Sequence, residues 1–444
     1  MQARAYGVGA LGLAGFVVTV DAVASPGERR LSIVGHDRGP LADAAHRVAA
    51  AIAPFDLPAC RQLVLVGPPE WRKGHPGLDL AIACAVLASH GIVPSGALDR
   101  LIAWSELDGE GRLITSAGTL HAAVTAREHG FRRLALAPSG ASSATHVPDL
   151  DLLLAPDLRE LVAHLRGEKA LPRTQSVDAP ASPRPSVVEN DSDSDAALAL
   201  EVMLAGGHHL LVHTSLPVVG LASTLAALLG ELELDDAIEL TMVHELVGPG
   251  PLLRVPRGRH ASQGIAAHDL LGSGSPPRPG EISLAHQGVL MVENLAALQP
   301  GCARALADAL VEREVRIEGA RLPARARVLA TCPPDGRVDA SLIERFDLVV
   351  SHVPAGVRRG AAARIAAARD RQRERLTATP WRWNAEIPWT GEALSWLCPA
   401  ERGCKASTRA RRVARTIADL DLERDPAAPI DAETLARARA IMTA

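Results

Sequence analysis

The stretch from His208 to Thr224, "HHLLVHTSLPVVGLAST", has the outline of a strand, a tight loop and a helix start. That is where a nucleotide-binding protein cradles phosphates. The chemistry needs glycines so that backbone N–H groups converge on the phosphates, a lysine for the β/γ charge, and a Ser/Thr hydroxyl for Mg²⁺. Branched Val218 and Val219 resist the positive φ values that glycines supply in such a loop. The chain holds only Lys73, Lys169 and Lys405, all distant from it. The outline of a phosphate loop is therefore present without its charge.

The elements that would position this loop follow from length and pattern. With 444 residues, two or three domains are expected. Aromatic residues make up 2% of the chain, so its cores must be aliphatic. A formal net charge of −4 gives no global signal for nucleic acid, and basic residues cluster only locally, at Arg409 to Arg415. The cysteines Cys60, Cys84, Cys302, Cys332, Cys398 and Cys404 form no CxxC pair, which suits thiols in a reducing compartment. "FVVTVDAVASPGERRLSIVG" reads as two strands joined by a Pro26-Gly27 turn rather than as a leader peptide. No apolar run reaches membrane-spanning length, so a cytoplasmic protein is expected.

Along residues 1–170, β-like runs ("LSIVG", "QLVLVG", "RLALAP", "LDLLLAP") alternate with helical stretches such as "PLADAAHRVAAAI" and "LDLAIACAVLASHG", predicting an α/β domain. Residues 171–195 are rich in Pro, Ser and Asp without apolar period and read as a flexible linker. A second α/β unit over 196–354 has strand candidates "HLLVH", "GVLMVEN", "ARVLAT" and "FDLVVSHV". Residues 355–444 read as a helical subdomain.

Several segments together resemble one family. "GGHHLLVH", "SGSPPRPGEISLAHQGVLMVENL", "SLIERFDLVV" and "RVARTIADL" occur in the order found in magnesium-chelatase-like AAA+ proteins of the ComM/YifB type. "PGLDLAIACAVLASHGIVP" and "SELDGEGRLITSAGTLHAAVTAREHGFRRLALAP" resemble that family's N-terminal domain. The resemblance implies an N-terminal α/β domain like ribosomal protein S5 domain 2 and the Lon protease domain, then a P-loop-type AAA+ α/β core with a helical C-terminal lid. It also implies an ATP-driven oligomeric ring acting on DNA, as in branch migration during natural transformation.

Set against the family's "GPPGTGKT", this chain offers Thr214, Ser215, Leu216, Pro217, Val218, Val219, Gly220 and Leu221. Gly220 stands at the lysine position and Leu221 at the metal-binding hydroxyl, although Ser223 or Thr224 would take the hydroxyl role in a shifted register. The family's "LFLDE" becomes Leu290-Met291-Val292-Glu293-Asn294. Glu293 is the one candidate to reach Mg²⁺, and Asn294 cannot act as a general base. The family's "NPCPCG" becomes Thr331-Cys332-Pro333-Pro334-Asp335-Gly336, so no zinc site is expected.

Other elements are retained. Arg345 matches an arginine finger that completes a neighbouring subunit's ATP site, but it could equally pair with Glu344 or Asp347. Arg254, Arg257, Arg259, His260 and Arg278 lie in segments that would face a ring's channel and touch DNA phosphates; the alternative is a solvated loop with Glu281 as local partner. Lys405 aligns with the family's sensor arginine and Arg409 only with a gap, while Arg411, Arg412 and Arg415 could form an exposed basic face. In the first domain, Gly77 and Ala122 stand where Lon relatives carry a Ser/Lys dyad, which excludes proteolysis by that route. Asp79, His36, His75 and His121 lack metal-ligand spacing, and such lone histidines are usually surface or satisfied polar residues.

The resulting expectation is a non-hydrolysing pseudo-ATPase, a scaffold or regulatory subunit of a homo- or hetero-oligomeric ring in DNA processing, with no cofactor assigned. The alternative is an active DNA-remodelling motor using ATP and Mg²⁺.

Overall fold

The computed structural model describes residues 2–34, 43–68, 76–172, 189–190, 194–216, 218, 220–353, 356–377, 379–387 and 407–442. β1 (Gln2–Leu11) and β2 (Ala14–Pro26) form an antiparallel hairpin whose reversal uses Gly12 at φ +65°. β3 (Arg30–Val34) follows the Pro26-Gly27 turn, yet β2 and β3 are not neighbours. β4 (Cys60–Gly67) lies between them, antiparallel to β2 and parallel to β3. The turn therefore carries the chain across the place that β4 fills, which a pattern of adjacent strands does not reveal.

β5 (Leu101–Ala103), β6 (Arg133–Leu136) and β7 (Asp151–Leu154) complete a seven-stranded sheet in the order β3-β4-β2-β1-β5-β6-β7. The helices of this part include α1 (Ala44–Ile52), α2 (Asp79–Ser89), α3 (Thr119–Glu128) and α4 (Leu158–Leu165). α2 is apolar on all sides and wholly buried, as a helix without a polar face must be. Its one acid, Asp79, is matched by bidentate Arg47 at 2.6 and 3.1 Å and by the Leu107 N–H at 3.3 Å. Such pairing offsets the cost of burying a carboxylate.

β8 (Glu189–Asn190) lies within the Pro/Ser/Asp-rich segment, of which 173–188 and 191–193 lie outside the described residues. α5 (Asp195–Gly206) starts at Ser194, whose side chain accepts the Ala197 N–H. There follow β9 (Leu210–His213), α6 (Leu221–Ala227), α7 (Leu234–Glu245), β10 (Gly258–Ala261), β11 (Val289–Val292), α8 (Pro300–Glu312), β12 (Arg327–Cys332), α9 (Ala340–Ile343) and β13 (Leu348–Val350). The sheet is parallel, in the order β10-β11-β12-β9-β13. Fully buried runs such as Val289–Val292 suit a sheet covered on both faces.

β14 (Val357–Arg358) pairs with β8, and α10 (Ala361–Leu376), α11 (Thr408–Leu420) and α12 (Ala432–Ala440) close on α5, β9 and β13 in one apolar cluster. α7 instead contributes Ile238, Leu240 and Met242 to the core beneath the first sheet. Among the described residues, no helix is long and apolar enough to cross a membrane.

Candidate functional site at the carboxyl edge of the parallel sheet

The strand order brings the carboxyl ends of β9, β11 and β12 side by side, the edge at which open α/β sheets hold ligands. The loop after β9 is organised around itself. The Thr214 N–H donates to the Cys332 carbonyl at 2.8 Å, and Thr214 Oγ1 accepts the Leu216 N–H at 3.1 Å. Leu216 is 71% exposed, whereas Val218 turns inward to the core shared by Val212 and Leu225. Ser215 sits in the bend; Pro217 and Val219 lie outside the described residues.

Gly220, at φ +77°, heads α6, so Leu221 and Ala222 occupy its first turn. Ser223 is exposed, and Thr224 Oγ1 donates to the Gly220 carbonyl at 3.3 Å, which commits that hydroxyl to its own helix. β10 crosses this helix start so closely that a Cβ on Gly258 would lie 2.2 Å from the Ala222 carbonyl carbon. Only glycine permits that approach.

Glu293 follows β11, its N–H donating to the Ala261 carbonyl at 2.9 Å. Its carboxylate lies 3.1 Å from His260 Nε2. Asn294 adopts a left-handed conformation (φ 51°, ψ 75°), which Asn tolerates better than most residues. Its N–H donates to Thr331 Oγ1 at 3.0 Å, and its side-chain oxygen is buried without a hydrogen-bond partner. The Cys332 thiol donates to the Pro333 carbonyl at 3.3 Å, and burial raises its pKa above the ordinary thiol value. The pairing of Glu293 with His260 joins adjacent strands, a register that sequence spacing alone does not give.

The arginines take partners other than the nearest acids. Arg345 makes no ion pair with Glu344 or Asp347; its Nε is buried without a hydrogen-bond partner. Asp347 instead lies 2.8 Å from His208 Nδ1 and 3.4 Å from Arg409 Nε. Burial pushes the Asp347 carboxyl up, but His208, Arg409 and Arg412 outweigh that and hold its pKa below the usual carboxylate range. His208 is fully buried, and its Nε2 lies 3.0 Å from Thr416 Oγ1, so this network joins β9, β13 and α11.

Glu281 pairs with Arg259, bidentate at 2.6 Å through both oxygens, and not with Arg278. Arg254, Arg257, Arg278 and His260 are exposed. The exposed basic face on α11 is also corrected. Arg412 and Arg415 are buried, and Arg415 holds Asp419 at 3.1 Å and the Pro426 and Ala428 carbonyls. The helix packs that face inward against α10 and α12 because its guanidiniums find acceptors there. Lys405 lies outside the described residues.

In the first part of the chain, a Cβ on Gly77 would sit 2.6 Å from the Trp104 ring, and Ala122 is fully buried. The space beside Gly77 is filled by the Trp104 indole. His121 is neither exposed nor satisfied: it is 2% exposed, its ring nitrogens lack hydrogen-bond partners, and its Nδ1 lies 3.5 Å from Glu245 on α7. That acid arrives from 124 residues away, beyond any local pattern. His36 and His75 lie outside the described residues.

This parallel-sheet α/β core, with a loop and an acidic strand end at its carboxyl edge, falls within the part of the chain that a magnesium-chelatase family model matches. The model of "Magnesium chelatase, subunit ChlI" matches residues 188–336, and that of "Subunit ChlI of Mg-chelatase" matches residues 20–140. The competence protein ComM of Haemophilus influenzae is 30% identical over 74% of this chain and 68% of its own. The YifB protein of Escherichia coli is 27% identical over 93% and 92%, and a Mycobacterium tuberculosis protein 29% identical over 94% of each. The chain belongs to the ComM/YifB family of magnesium-chelatase-like proteins.

Proposed function

We propose that this protein is a pseudo-ATPase of its family, a non-hydrolysing scaffold or regulatory subunit of an oligomeric AAA+ ring in DNA processing. One observation carries the reading: α6 opens with Gly220-Leu221-Ala222, with Val218 packed into the core behind it. Phosphoryl transfer depends on cations aimed at the charge that develops on the phosphate oxygens. No lysine stands at that helix start, Leu221 occupies the position of the metal-binding hydroxyl, and Thr224 is bonded to its own turn.

The residues fit ATP and Mg²⁺ poorly on the acidic side as well. Glu293 faces His260, and Asn294 has no proton-accepting group for an attacking water. In this reading the core sheet and helices are kept for contacts between subunits.

The Arg345 guanidinium, whose Nε has no hydrogen-bond partner among the described residues, favours a mixed ring in which it completes the site of a competent relative. Recovery of only free monomer when both proteins are co-expressed would remove that part of the proposal.

The test is ATP binding by the purified chain with Mg²⁺ and a fluorescent analogue, with phosphate release followed in the same tube. No binding at millimolar ATP is expected. Tight binding with DNA-stimulated turnover that disappears in Glu293→Ala would establish the alternative, a remodelling motor with an unorthodox site.

A further inference from the structure

A cavity of about 640 Å³ opens on the first sheet, far in sequence from the phosphate-loop remnant, and Tyr6, Asp99, Arg100, His129, Phe131 and Arg132 line it. Its size falls in the range of small-ligand sites. The chain has one tyrosine and four phenylalanines, and two of these five rings meet here, edge to face, with centroids 5.2 Å apart at 65°. Both are half-buried, so aromatic surface remains open to the cavity.

The rim is cationic and held in place. Arg100 adopts φ +54°, a left-handed conformation that costs a non-glycine residue energy and is retained where the surroundings impose it. The Arg100 carbonyl accepts the N–H groups of Arg132 and Arg133 at 3.2 and 3.3 Å, tying the two arginine-bearing segments together. The Arg133 guanidinium is used internally, on the Ala97 and Asp99 carbonyls. Arg100 and Arg132 are exposed, and among the described residues neither makes an ion pair, nor does Asp99. His129 turns Nδ1 to the Thr125 carbonyl at 3.0 Å.

We propose that this cavity binds an unpaired nucleobase together with its phosphate, presented by single-stranded nucleic acid. The base stacks on the Tyr6/Phe131 surface, which is tolerant of sequence because every base has a π-face. The phosphate meets Arg100 and Arg132, whose planar forks suit its oxygens. The Asp99 carboxylate is placed to accept an exocyclic amino group. The proposal is independent of whether the parallel-sheet core binds ATP.

The test uses the full chain and a fluorescein-labelled oligodeoxycytidylate of about 15 nucleotides, whose bases carry an exocyclic amino group, followed by anisotropy, with deoxycytidine monophosphate as competitor. The comparison variant is Arg100→Gly with Arg132→Ala; glycine suits the positive φ, so thermal melting should hold. Binding should weaken about tenfold, and its salt dependence should flatten by about 0.7 for each phosphate that is no longer neutralised. A second variant, Tyr6→Leu, keeps apolar volume and should lose the stacking share of affinity. Competition by the monophosphate at millimolar concentration would identify a free nucleotide as sufficient ligand; no competition would assign the site to the strand. Equal binding by wild type and the arginine variant, or no binding of either probe by wild type, would overturn the proposal.

Discussion

The Glu245 carboxylate at the end of α7 accepts the Leu120 N–H at 3.0 Å, although the two residues are 125 positions apart in the chain. α3 begins at Gly118, which has no side chain to cap it, and its first turn carries no acid. The buried Leu120 N–H of its first turn is instead met by an acid from the other α/β unit, with Ser143 Oγ donating to the same carboxylate at 3.4 Å.

Replacing Glu245 with Ala should therefore cost about 1–3 kcal/mol and lower the melting temperature, while Gln, which keeps an acceptor, should cost less. Amide exchange at Leu120 should accelerate in the Ala variant. A Glu245→Ala protein that melts and exchanges like wild type would show that the interaction contributes nothing.

Acid should destabilise the fold in two stages. Burial holds the His209 pKa down to about 3 and the His244 pKa down to about 4, against 6.5 for a free histidine. Between those values the unfolded chain binds protons that the folded chain refuses, so stability falls as pH drops below about 6.5. Burial raises the Glu239 carboxyl, but the hydrogen bond and charge of His286 hold it at about 2. Its stabilising contribution is complete above the ordinary carboxylate value and is lost as pH falls from there towards 2. Each group adds at most about 1.4 kcal/mol per pH unit. Denaturant midpoints measured from pH 7 to pH 3 should decline throughout; a flat profile would contradict the assignment.

On the proposed pseudo-ATPase reading, supplying a phosphate-loop lysine alone should not create an ATPase. Gly220→Lys has open space around the new Cβ, so its cost is confined to the positive φ, about 1 kcal/mol. Phosphate release should stay at background because Asn294 still lacks a basic group. Turnover in the single variant would mean that another residue serves as base.

Gly77→Ser would supply a hydroxyl at the position that the resemblance to Lon relatives assigns to a serine, but the structure leaves no space for it. Its Cβ would press on the Trp104 ring, and overpacking of this kind costs about 1–3 kcal/mol. A lower melting temperature without peptidase activity is expected. An unchanged melting temperature would show that Trp104 yields freely.

Much of the fold was legible because it is written in short-range pattern. "QLVLVG" and "GVLMVEN" fall within β4 and around β11, and "LDLAIACAVLASHG" covers α2, since the side-chain periods of strands and helices are local. The missing lysine needed no structure at all, for three lysines in a chain can be counted. Partners were another matter. Glu281 stands three residues from Arg278, yet it bonds Arg259 because the register of β10 brings that guanidinium alongside. Arg412 and Arg415 have the spacing of a surface stripe, and nothing local reports that acceptors await them beneath α11.

The sequence by itself determined the alternation of elements, the family likeness and the absence of a lysine from the 208–224 segment, all properties of residue identity and near neighbours. Only the tertiary structure decided that Asp347 faces His208 across 139 residues, that Glu245 caps α3, and that Tyr6 and Phe131 share a cavity with Arg100 and Arg132. The physical reason is one of range: hydrophobic periodicity acts within a few residues, whereas ion pairs and cavities depend on how distant strands and helices are brought into register.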